Sequence, residues 1–240
     1  MQKFKMIYPY YDCAEMLKLQ VANWNSYPFW LREHCTIIIV DDCSPTQPAR
    51  PVLEALRFPY QLYRVQKDIR WNQHGARNLG AQQAFEGDWL FMSDMDIMLP
   101  AGQVRLVFDQ PHDPSKHYTF ERTFVPEFKE RKYHCNTFLV TREKYWEAGG
   151  YDEDYCGHYG GDGSFLRALE NVAPREHRED IVLHGFGRRT KDGDAAFPGA
   201  DTQQDRVHSH ASYRKLFDNK RRRGDLVPKN PIRFDWVRVV

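Results

Sequence analysis

The sequence lacks the features that would place the protein in a membrane or in an oxidising compartment. Its 240 residues contain no apolar run close to the length of a membrane-spanning helix, and no signal-peptide core follows Met1. The five cysteines are odd in number, widely scattered and without C-x-x-C spacing, which argues against a disulfide framework and against a zinc site. We therefore expect a soluble, cytoplasmic protein with reduced thiols.

An excess of charge of one sign is also lacking. The formal net charge is +1, so the chain as a whole favours neither a polyanionic nor a polycationic partner. There is no internal repeat and no low-complexity tract, and 41% of the residues are hydrophobic. A chain of this length and composition suits one large α/β domain with a full core.

The first half of the chain alternates strand-like with helix-like segments. The strand-like segments have the apolar, β-branched or aromatic content of buried strands, and they cover 4–8, 36–40, 60–65 and the run that ends before Asp94. Such alternation predicts a doubly wound α/β fold around a mainly parallel sheet. We expect Pro9 to end the first strand and Asp12 to cap the helix that follows.

Two carboxylates, Asp94 and Asp96, follow the fourth of these strands. Ionised carboxylates this close repel each other unless a cation or hydrogen-bond donors lie between them. The pair therefore predicts a divalent metal ion that could itself hold a phosphate. The alternative is that both residues only begin a loop and cap the helix after Pro100.

In a doubly wound sheet, ligands bind beyond the carboxyl ends of the strands. Segment 8–10, the pair Asp41 and Asp42, and the pair Asp94 and Asp96 all stand at such ends, so we expect them to line one crevice. A simple turn is the alternative for Asp41 and Asp42, because Asp-Asp-x-Ser-Pro is favourable turn chemistry. The convergence of three strand ends favours a ligand site.

The second half is less regular. Strands are predicted over 117–124 and 134–140, and a helix begins near Thr141 and ends at the glycines 149–150. A loop rich in glycine, aromatic and acidic residues follows, as expected where a small molecule docks. Segment 185–204 has the composition of a mobile loop, which in a compact domain is often a lid.

Six motifs occur along the chain in a recognisable order. They are MIYPYYD (6–12), IVDDCS (39–44), NQHGARNLG (72–80), MSDMD (92–96), GGYDE (149–153) and YGGD (159–162). With these motifs the chain resembles family 2-type glycosyltransferases of the GT-A fold, from residue 6 to about residue 210. Its second half is similar to the galactosyltransferase and polypeptide N-acetylgalactosaminyltransferase-like branch.

The resemblance implies which residues hold a sugar nucleotide. Residues 9–10 with Asp41 or Asp42 would hold the base and ribose, and Arg77 and Asn78 would lie near the diphosphate. The full set of implied nucleotide-sugar contacts is Pro9, Tyr10, Asp41, Asp42, Asn72, Arg77, Asn78 and Asp94. The alternative for Arg77 is an ion pair with an acid on its own helix.

The resemblance also implies a metal site. Asp94 and Asp96 match the metal motif, with Asp96 as the direct ligand, and His208 or His210 would close the site from the C-terminal side. An imidazole ligand favours Mn²⁺ over Mg²⁺, because oxygen-only shells suit Mg²⁺ best. The alternative is that this His-x-His pair is exposed polar surface.

Asp162 matches the catalytic base of the family, with one departure. The motif commonly has Glu before Asp, whereas Gly161 stands there in this chain. A shift of one place would align Asp162 with the Glu and leave the base vacant, so Asp152, Glu153 and Asp154 are reserve candidates. Asp162 is the first choice because it begins a predicted helix, where a carboxylate stays ionised.

Together these features predict a metal-dependent glycosyltransferase that uses a UDP-sugar and is inverting, as the resembled families are. A sugar-1-phosphate nucleotidyltransferase would need a Gly-rich, basic first loop, which residues 8–12 do not supply. Two alternatives stay open: a nucleotide-sugar or glycan-binding module without turnover, and a glycosyltransferase acting on modified DNA bases. The sequence does not specify the acceptor, which could be a glycan, a protein, a lipid or a modified nucleic acid.

The same features predict how the chain is divided. We expect one glycosyltransferase domain over 1–212, with a nucleotide-sugar half (1–97) and an acceptor half (98–212) that carries the mobile loop 185–204. A basic tail, 213–240, would pack on this domain or extend from it.

Overall fold

One sheet of nine strands organises the described part of the chain. The computed structural model describes residues 2–125, 129–158, 160–186, 203–226, 228 and 231–240. The strands are β1 (Phe4–Tyr10), β2 (Cys35–Asp41), β3 (Tyr60–Val65), β4 (Trp89–Met92), β5 (Ile97–Met98), β6 (His117–Val125), β7 (Lys129–Thr141), β8 (Arg175–Phe186) and β9 (Trp236–Arg238). Their order across the sheet is β5-β8-β6-β7-β4-β1-β2-β3-β9.

Helices cover both faces of this sheet. In the described residues the α-helices are α1 (Ala14–Asn25), α2 (Arg50–Leu53), α3 (Gln73–Gln82), α4 (Val104–Phe108), α5 (Arg142–Glu147), α6 (Gly161–Val172) and α7 (Gln203–Arg223). Successive side chains of a strand point to opposite faces, so the sheet carries two separate cores. One core packs against α1 and α4, and the other against α3, α5 and α6.

The central strands agree with the predicted doubly wound α/β fold. β3, β2, β1 and β4 run parallel to one another. Ile37, Ile38, Ile39 and Val40 of β2 are all fully buried. A strand covered on both faces needs a continuous apolar run, which is why this strand could be recognised in the sequence. The prediction of the fold class is confirmed.

The prediction that Pro9 ends the first strand is wrong. β1 continues to Tyr10, and Pro9 is paired with Val40 of β2. The Ile7 carbonyl accepts a hydrogen bond from the residue after β4, and the Tyr10 carbonyl accepts one from the residue after β2. Backbone groups alternate in direction along a strand, so the missing N–H of Pro9 points to the β4 side, beyond the point where β4 stops pairing. Proline therefore costs the sheet no hydrogen bond there.

The prediction that Asp12 caps the first helix is also wrong. Residue 13 is the N-cap of α1 and its side chain makes no capping hydrogen bond, whereas Oε1 of Gln47 accepts from the N–H of the first helical residue at 3.1 Å. Asp12 instead has a left-handed backbone, with φ of 40°, and is buried. Its Oδ1 accepts hydrogen bonds from the N–H groups of Thr46 and Gln47 at 3.1 and 2.8 Å. The carboxylate thus ties β1 to the loop after β2.

The second half of the sheet is mixed. β7 runs antiparallel to β4 and to β6, whereas β8 runs parallel to β6 and antiparallel to β5. The strands predicted at 117–124 and 134–140 are present. β8 was missed, because its first six residues, REHRED, are polar and show no strand pattern. Of the predicted mobile loop 185–204, residues 185–186 belong to β8 and residues 203–204 to α7. Residues 187–202 lie outside the described residues.

The C-terminal residues return to the sheet. β9 pairs with β3 in the antiparallel sense, and Lys220 of α7 is buried. All five cysteines are free thiols in this structure. Among the described helices, none combines the length and the apolar content needed to cross a membrane.

Candidate active site

The candidate site lies at the carboxyl ends of the central strands. β1 stands between β2 and β4 in the sheet, so the three strand ends predicted to converge are neighbours. Asp41 ends β2, and Asp94 follows β4 by two residues. Side chains of α3 and β7 contact Asp94, and a side chain of α6 contacts those of α3 and β7 in turn.

Arg77 of α3 is the central cation of the site. It is fully buried, and its Nη2 donates to Oδ1 of Asp94 while its Nη1 donates to Oδ1 of Asp162 at 3.3 Å. Its guanidinium also lies 5.0 Å from the ring centroid of Tyr151. Burial lowers the pKa of Arg77, but the charge of Asp94 and the other acidic groups outweighs it and raises the pKa. Arg77 therefore pairs with two acids on other elements, not with an acid on its own helix.

Asn136 of β7 bridges the same two acids. Its Nδ2 donates to Oδ2 of Asp94 at 3.1 Å and to Oδ2 of Asp162 at 3.3 Å. Both oxygens of each carboxylate thus receive a hydrogen bond from a buried side chain. Sequence analysis missed Asn136, since no motif marks it.

Asp162 lies in the first turn of α6, as predicted. Burial raises the pKa of this carboxyl, but the hydrogen bond from His74, the charge of Arg77 and the hydrogen bond from Asn136 hold it well below its usual range. Asp162 is therefore ionised near neutral pH. A proton acceptor with a low pKa is a weak base.

His74 packs against the residue that precedes Asp162 in the sequence. The Nε2 atom of His74 lies 3.3 Å from Oδ1 of Asp162. A Cβ atom added to Gly161 would lie 2.4 Å from Cε1 of His74 and 2.8 Å from Cβ of Tyr155. A larger residue cannot occupy position 161 without moving its neighbours. This packing explains why glycine precedes Asp162 in this chain.

Asp96 stands next to the Arg77 pair. Burial and then the charge of Asp94 raise the pKa of Asp96 to about 7, although Arg122 and Arg77 act in the opposite direction. A divalent cation would relieve the repulsion between the two carboxylates, because it supplies the opposite charge. The oxygen donors at this position suit a hard cation such as Mg²⁺ or Mn²⁺.

His134 of β7 is a further side chain that sequence analysis missed. Its Nε2 lies 3.6 Å from Oδ2 of Asp94, and its Nδ1 forms a hydrogen bond with Oγ1 of Thr137 at 2.9 Å. Burial lowers the pKa of His134 to about 4, so the ring is neutral. The only sequence signal was its spacing of two residues from Asn136, which puts both on one face of a strand.

The histidines predicted as metal ligands belong to α7. His210 is exposed, and the side chain of His208 lies outside the described residues. Within the part of the chain that the structure describes, no group of three His, Cys, Asp or Glu side chains is arranged to hold a metal ion. A cation bound through one or two carboxylates usually takes further ligands from substrate phosphates and water. The histidine assignment stays a prediction.

Asp41 holds the loop after β2 in place. Its Oδ1 accepts a hydrogen bond from the Ser44 N–H at 2.8 Å. Its Oδ2 accepts from the Ala49 N–H at 3.0 Å and from Nη1 of Arg64 at 2.9 Å. These contacts occupy both oxygens, so Asp41 has little capacity left for a ligand.

Asp42 has a different environment from its neighbour. Nδ2 of Asn72 donates to its Oδ1 at 2.9 Å. Burial nevertheless raises the pKa of Asp42 to about 7, since it outweighs the hydrogen bond from Asn72. A buried carboxylate of this kind gains from any further donor that a ligand brings.

The remaining predicted donor contacts are held by the protein itself. Pro9 is half-buried, and the buried Tyr10 donates its hydroxyl to the Gln47 carbonyl. Asn78 is fully buried, with Oδ1 accepting from the Tyr151 N–H at 2.9 Å and Nδ2 donating to the Tyr151 carbonyl at 2.8 Å. Asn78 thus anchors the loop that leads to α6.

The reserve candidates for the base contact the C-terminal part of the chain. Nζ of Lys220 lies 2.7 Å from Asp152 and 2.5 Å from Asp154. Oε1 of Glu153 accepts hydrogen bonds from Nδ2 of Asn78 and from the backbone N–H of Ile232. Asp162 is therefore the acid of the second half that the structure brings to Arg77.

Comparison with known families identifies the family of this chain. The sequence matches the family model of glycosyl transferase family 2 over residues 7–165, which is 159 of the 240 residues. The chain belongs to glycosyl transferase family 2. The matched segment contains Arg77 and every acid that it contacts. The predicted resemblance is thereby confirmed.

Solved structures similar to this family 2 chain share its fold at low sequence identity. TarS 1–349 of S. aureus in complex with UDP-GlcNAc has a TM-score of 0.64 and 15% identity, over 82% of this chain and 62% of that chain. Mannosyltransferase PcManGT from Pyrobaculum calidifontis in complex with GDP-Man and Mn²⁺ has a TM-score of 0.62 and 14% identity, over 79% and 58%. The catalytic domain of Drosophila β1,4-galactosyltransferase 7 in complex with xylobiose has a TM-score of 0.54 and 15% identity, over 85% and 78%.

At these identities the likeness shows the GT-A fold alone. The chain spans about three fifths of the length of the TarS and PcManGT chains. No curated protein sequence matches this chain.

Proposed function

We propose that this protein is a metal-dependent glycosyltransferase that moves a sugar from a nucleoside-diphosphate sugar, with a UDP-sugar as the first choice, to an acceptor hydroxyl with inversion. The observation that carries the proposal is the connected group of side chains at the strand ends. Arg77 and Asn136 each donate to both Asp94 and Asp162. The acid beside the donor site and the acid beside the acceptor site are thus held in one geometry, as transfer between two bound molecules requires.

A divalent cation fits the acids of this group. Asp94 and Asp162 pair with one fully buried guanidinium, and the charge of that guanidinium also acts on Asp96. Burial first and the charge of Asp94 second raise the pKa of Asp96 to about 7, so a cation there would stabilise its ionised form. Asp96 would hold the ion together with Asp94 and a histidine of α7, and we propose Mn²⁺ in preference to Mg²⁺. When bound, the ion would neutralise the charge that develops on the departing diphosphate.

Asp162 would accept the proton of the acceptor hydroxyl. It is ionised and lies in the first turn of a helix, where the positive end of the helix dipole stabilises a carboxylate. Because its pKa is held low, the gain from proton transfer is modest. Most of the rate should therefore come from alignment of the reactants and from stabilisation of the leaving group.

Asp42 is the better candidate for the nucleotide base than Asp41. Both oxygens of Asp41 already accept hydrogen bonds from the protein, whereas the buried Asp42 would gain from a donor on a nucleobase. Pro9 stands at the adjacent strand end. Because the similar structures hold UDP-GlcNAc in one case and GDP-Man in another, both nucleotides belong in the test.

Thermal unfolding tests donor and metal binding. A ligand that binds only the folded state stabilises it by about 2.7 kcal/mol at a hundredfold excess over Kd. We expect a shift with UDP-GlcNAc, UDP-glucose or UDP-galactose plus Mn²⁺, with GDP-mannose as the comparison. Asp96→Ala should lose the Mn²⁺-dependent part, whereas Asp109→Ala, a change at an exposed acid at the end of α4, should keep it. Equal shifts in wild type and Asp96→Ala would refute the metal assignment.

Release of nucleotide from the donor tests the base. Asp162→Asn keeps the size of the side chain and removes its basicity, so turnover should fall by roughly 10²-fold or more with nearly unchanged donor affinity. Asp154→Asn is the matched control, because Asp154 contacts Lys220 and not Arg77. If Asp162→Asn turns over normally while Asp154→Asn is slow, the base has been assigned to the wrong acid. Loss of donor binding in Asp162→Asn would place this residue in the donor site.

A further inference from the structure

We propose that His74 is a positioning residue that orients Asp162 for proton acceptance, an inference that rests on the proposed role of Asp162 as the base. His74 belongs to α3, 88 residues before Asp162 in the sequence. Its Nε2 lies 3.3 Å from Oδ1 of Asp162, and its side chain is 2% exposed. A contact of this kind fixes the carboxylate without touching the reactants.

The ring of His74 is itself held in a fixed orientation. It stacks on the ring of Tyr151, with centroids 5.2 Å apart and an interplanar angle of 15°. Tyr151 stacks in turn on Phe165, with centroids 4.2 Å apart and an angle of 23°. Phe165 lies one turn after Asp162 in α6. The helix that carries the carboxylate therefore also fixes the ring that holds it.

The backbone before Asp162 fits this histidine. A Cβ atom at position 161 would lie 2.4 Å from Cε1 of His74, so the imidazole occupies the volume that a side chain at position 161 would need. His74 and Gly161 therefore have to occur together. The glycine that departs from the Glu-Asp pattern leaves room for a hydrogen-bond donor on Asp162.

The contacts also define which ring nitrogen carries the proton. The ionised Asp162 can only accept, so Nε2 of His74 must donate. Nδ1 is buried and has no hydrogen-bond partner among the described residues. A lone pair left unpaired there costs less than an unpaired N–H would, because buried N–H donors are the groups most rarely left without a partner. A ring with its proton on Nε2 satisfies both conditions.

Other groups also face Asp162, so His74 orients the carboxylate without determining its charge alone. Arg77 and Asn136 donate to it directly. Asp94, His134, Cys135 and Tyr151 are the other titratable groups around it. Loss of the His74 contact should therefore leave Asp162 ionised and still held by Arg77 and Asn136, but in a less closely defined orientation for proton transfer.

Two substitutions at His74 separate orientation from packing. His74→Phe keeps the stacked ring and removes the donor, whereas His74→Gln removes the ring and keeps a donor near the position of Nε2. The assay is Mn²⁺-dependent release of nucleotide from UDP-GlcNAc, UDP-glucose, UDP-galactose or GDP-mannose, with water as the acceptor. We expect kcat to fall by about tenfold in His74→Phe, with the KM for the donor nearly unchanged, and to recover in large part in His74→Gln.

The control is His112→Phe. His112 is also a buried ring that packs against aromatic neighbours, tilted by 59° to the ring of Tyr118, and its Nε2 lies 2.6 Å from the Val107 carbonyl, in the core on the other face of the sheet. This change should reduce stability without the selective loss of kcat. A role of His74 in packing alone predicts the opposite order, with His74→Phe more active than His74→Gln.

The outcomes distinguish this inference from the proposed function. If Asp162→Asn is slow but His74→Phe turns over like wild type, or faster than His74→Gln, the inference is overturned and the base assignment stands. If the wild type releases no nucleotide from any of the four donors, the proposed function and the inference both fail. A long-range ¹H–¹⁵N spectrum of the wild type adds an independent criterion. A proton on Nδ1 of His74, with Nε2 unprotonated, would overturn the inference whatever the activity.

Discussion

Removal of Arg77 should destabilise the folded protein far more than removal of an ordinary arginine. Arg77 is fully buried, and its guanidinium is paired with both Asp94 and Asp162. Removing one partner from a buried ion pair costs about 3–5 kcal/mol, because a carboxylate is left without compensation in a medium of low polarity. The two carboxylates are 22% and 21% exposed, so water offsets part of the loss. We therefore expect about 3 kcal/mol for Arg77→Met, the lower end of that range.

Urea unfolding followed by tryptophan fluorescence measures this loss. The control is Arg105→Met, because Arg105 is 67% exposed and pairs with Asp109 one helical turn away. Such surface pairs contribute about 0.2–1 kcal/mol. Arg77→Lys should lower the free energy of unfolding nearly as much as Arg77→Met. One ammonium group cannot donate to two carboxylates in the fork geometry of a guanidinium. Equal unfolding midpoints for Arg77→Met and Arg105→Met would refute the central position given to Arg77.

The pH dependence of this loss follows from Asp162. Its folded pKa is depressed, so its contribution to stability is present above its unfolded pKa, near 4, and is lost as the pH falls through the folded value. Arg77→Met removes one of the groups that depress this pKa, so the variant lacks part of that contribution. The difference in the free energy of unfolding between wild type and variant should be largest near pH 7 and should narrow below about pH 4. If the difference in the free energy of unfolding stayed constant from pH 7 to below about pH 4, the loss of stability in Arg77→Met would come from lost packing and not from charge.

Two further outcomes follow from local geometry. Gly161→Ala should lower the free energy of unfolding by about 1–3 kcal/mol, because the added Cβ would lie 2.4 Å from Cε1 of His74. The neutral control in the same urea experiment is Gly102→Ala, because no atom lies within 4 Å of the position of its Cβ. The folded pKa of Asp42 is raised to about 7 by burial, so the folded state keeps a proton that the unfolded chain releases, and stability should fall as the pH rises from about 4 to about 7. Asp42→Asn should reduce that slope, and an unchanged slope would contradict the assignment.

The sheet could be predicted because each of its central strands carries a local signal. The buried run at 37–40 and the acids after β2 and β4 are visible in a few consecutive residues. Parallel order then follows from the alternation of strands and helices, so the strand ends meet at one edge. That the polar first half of β8 forms a strand, and that β1 continues through Pro9, depends instead on which strands lie beside them in the sheet. That information is not local, so pattern alone could not supply it.

The contacts between the site residues could not be predicted from the sequence for a similar reason. His74 and Asp162 are 88 residues apart, and Asn136 belongs to a third element. The glycine at position 161 could be recognised as a departure from the family pattern. The residue that fills the space could not, because that depends on how α3 and α6 pack. Adjacent acids posed the same problem, since Asp41 and Asp42 are equivalent in the sequence and differ only in where the backbone directs them.

The two acids after β4 are also distinguished only by the structure. Asp94 has one oxygen engaged by Arg77 and the other by Asn136. Both of its oxygens therefore already accept hydrogen bonds from the protein, one of them from a cation. For Asp96, burial and the charge of Asp94 outweigh the charges of Arg122 and Arg77 and raise the pKa of its carboxyl to about 7. An incoming cation gains most at the acid whose charge is least compensated, so under the proposed function Asp96 would gain more than Asp94 from a bound ion.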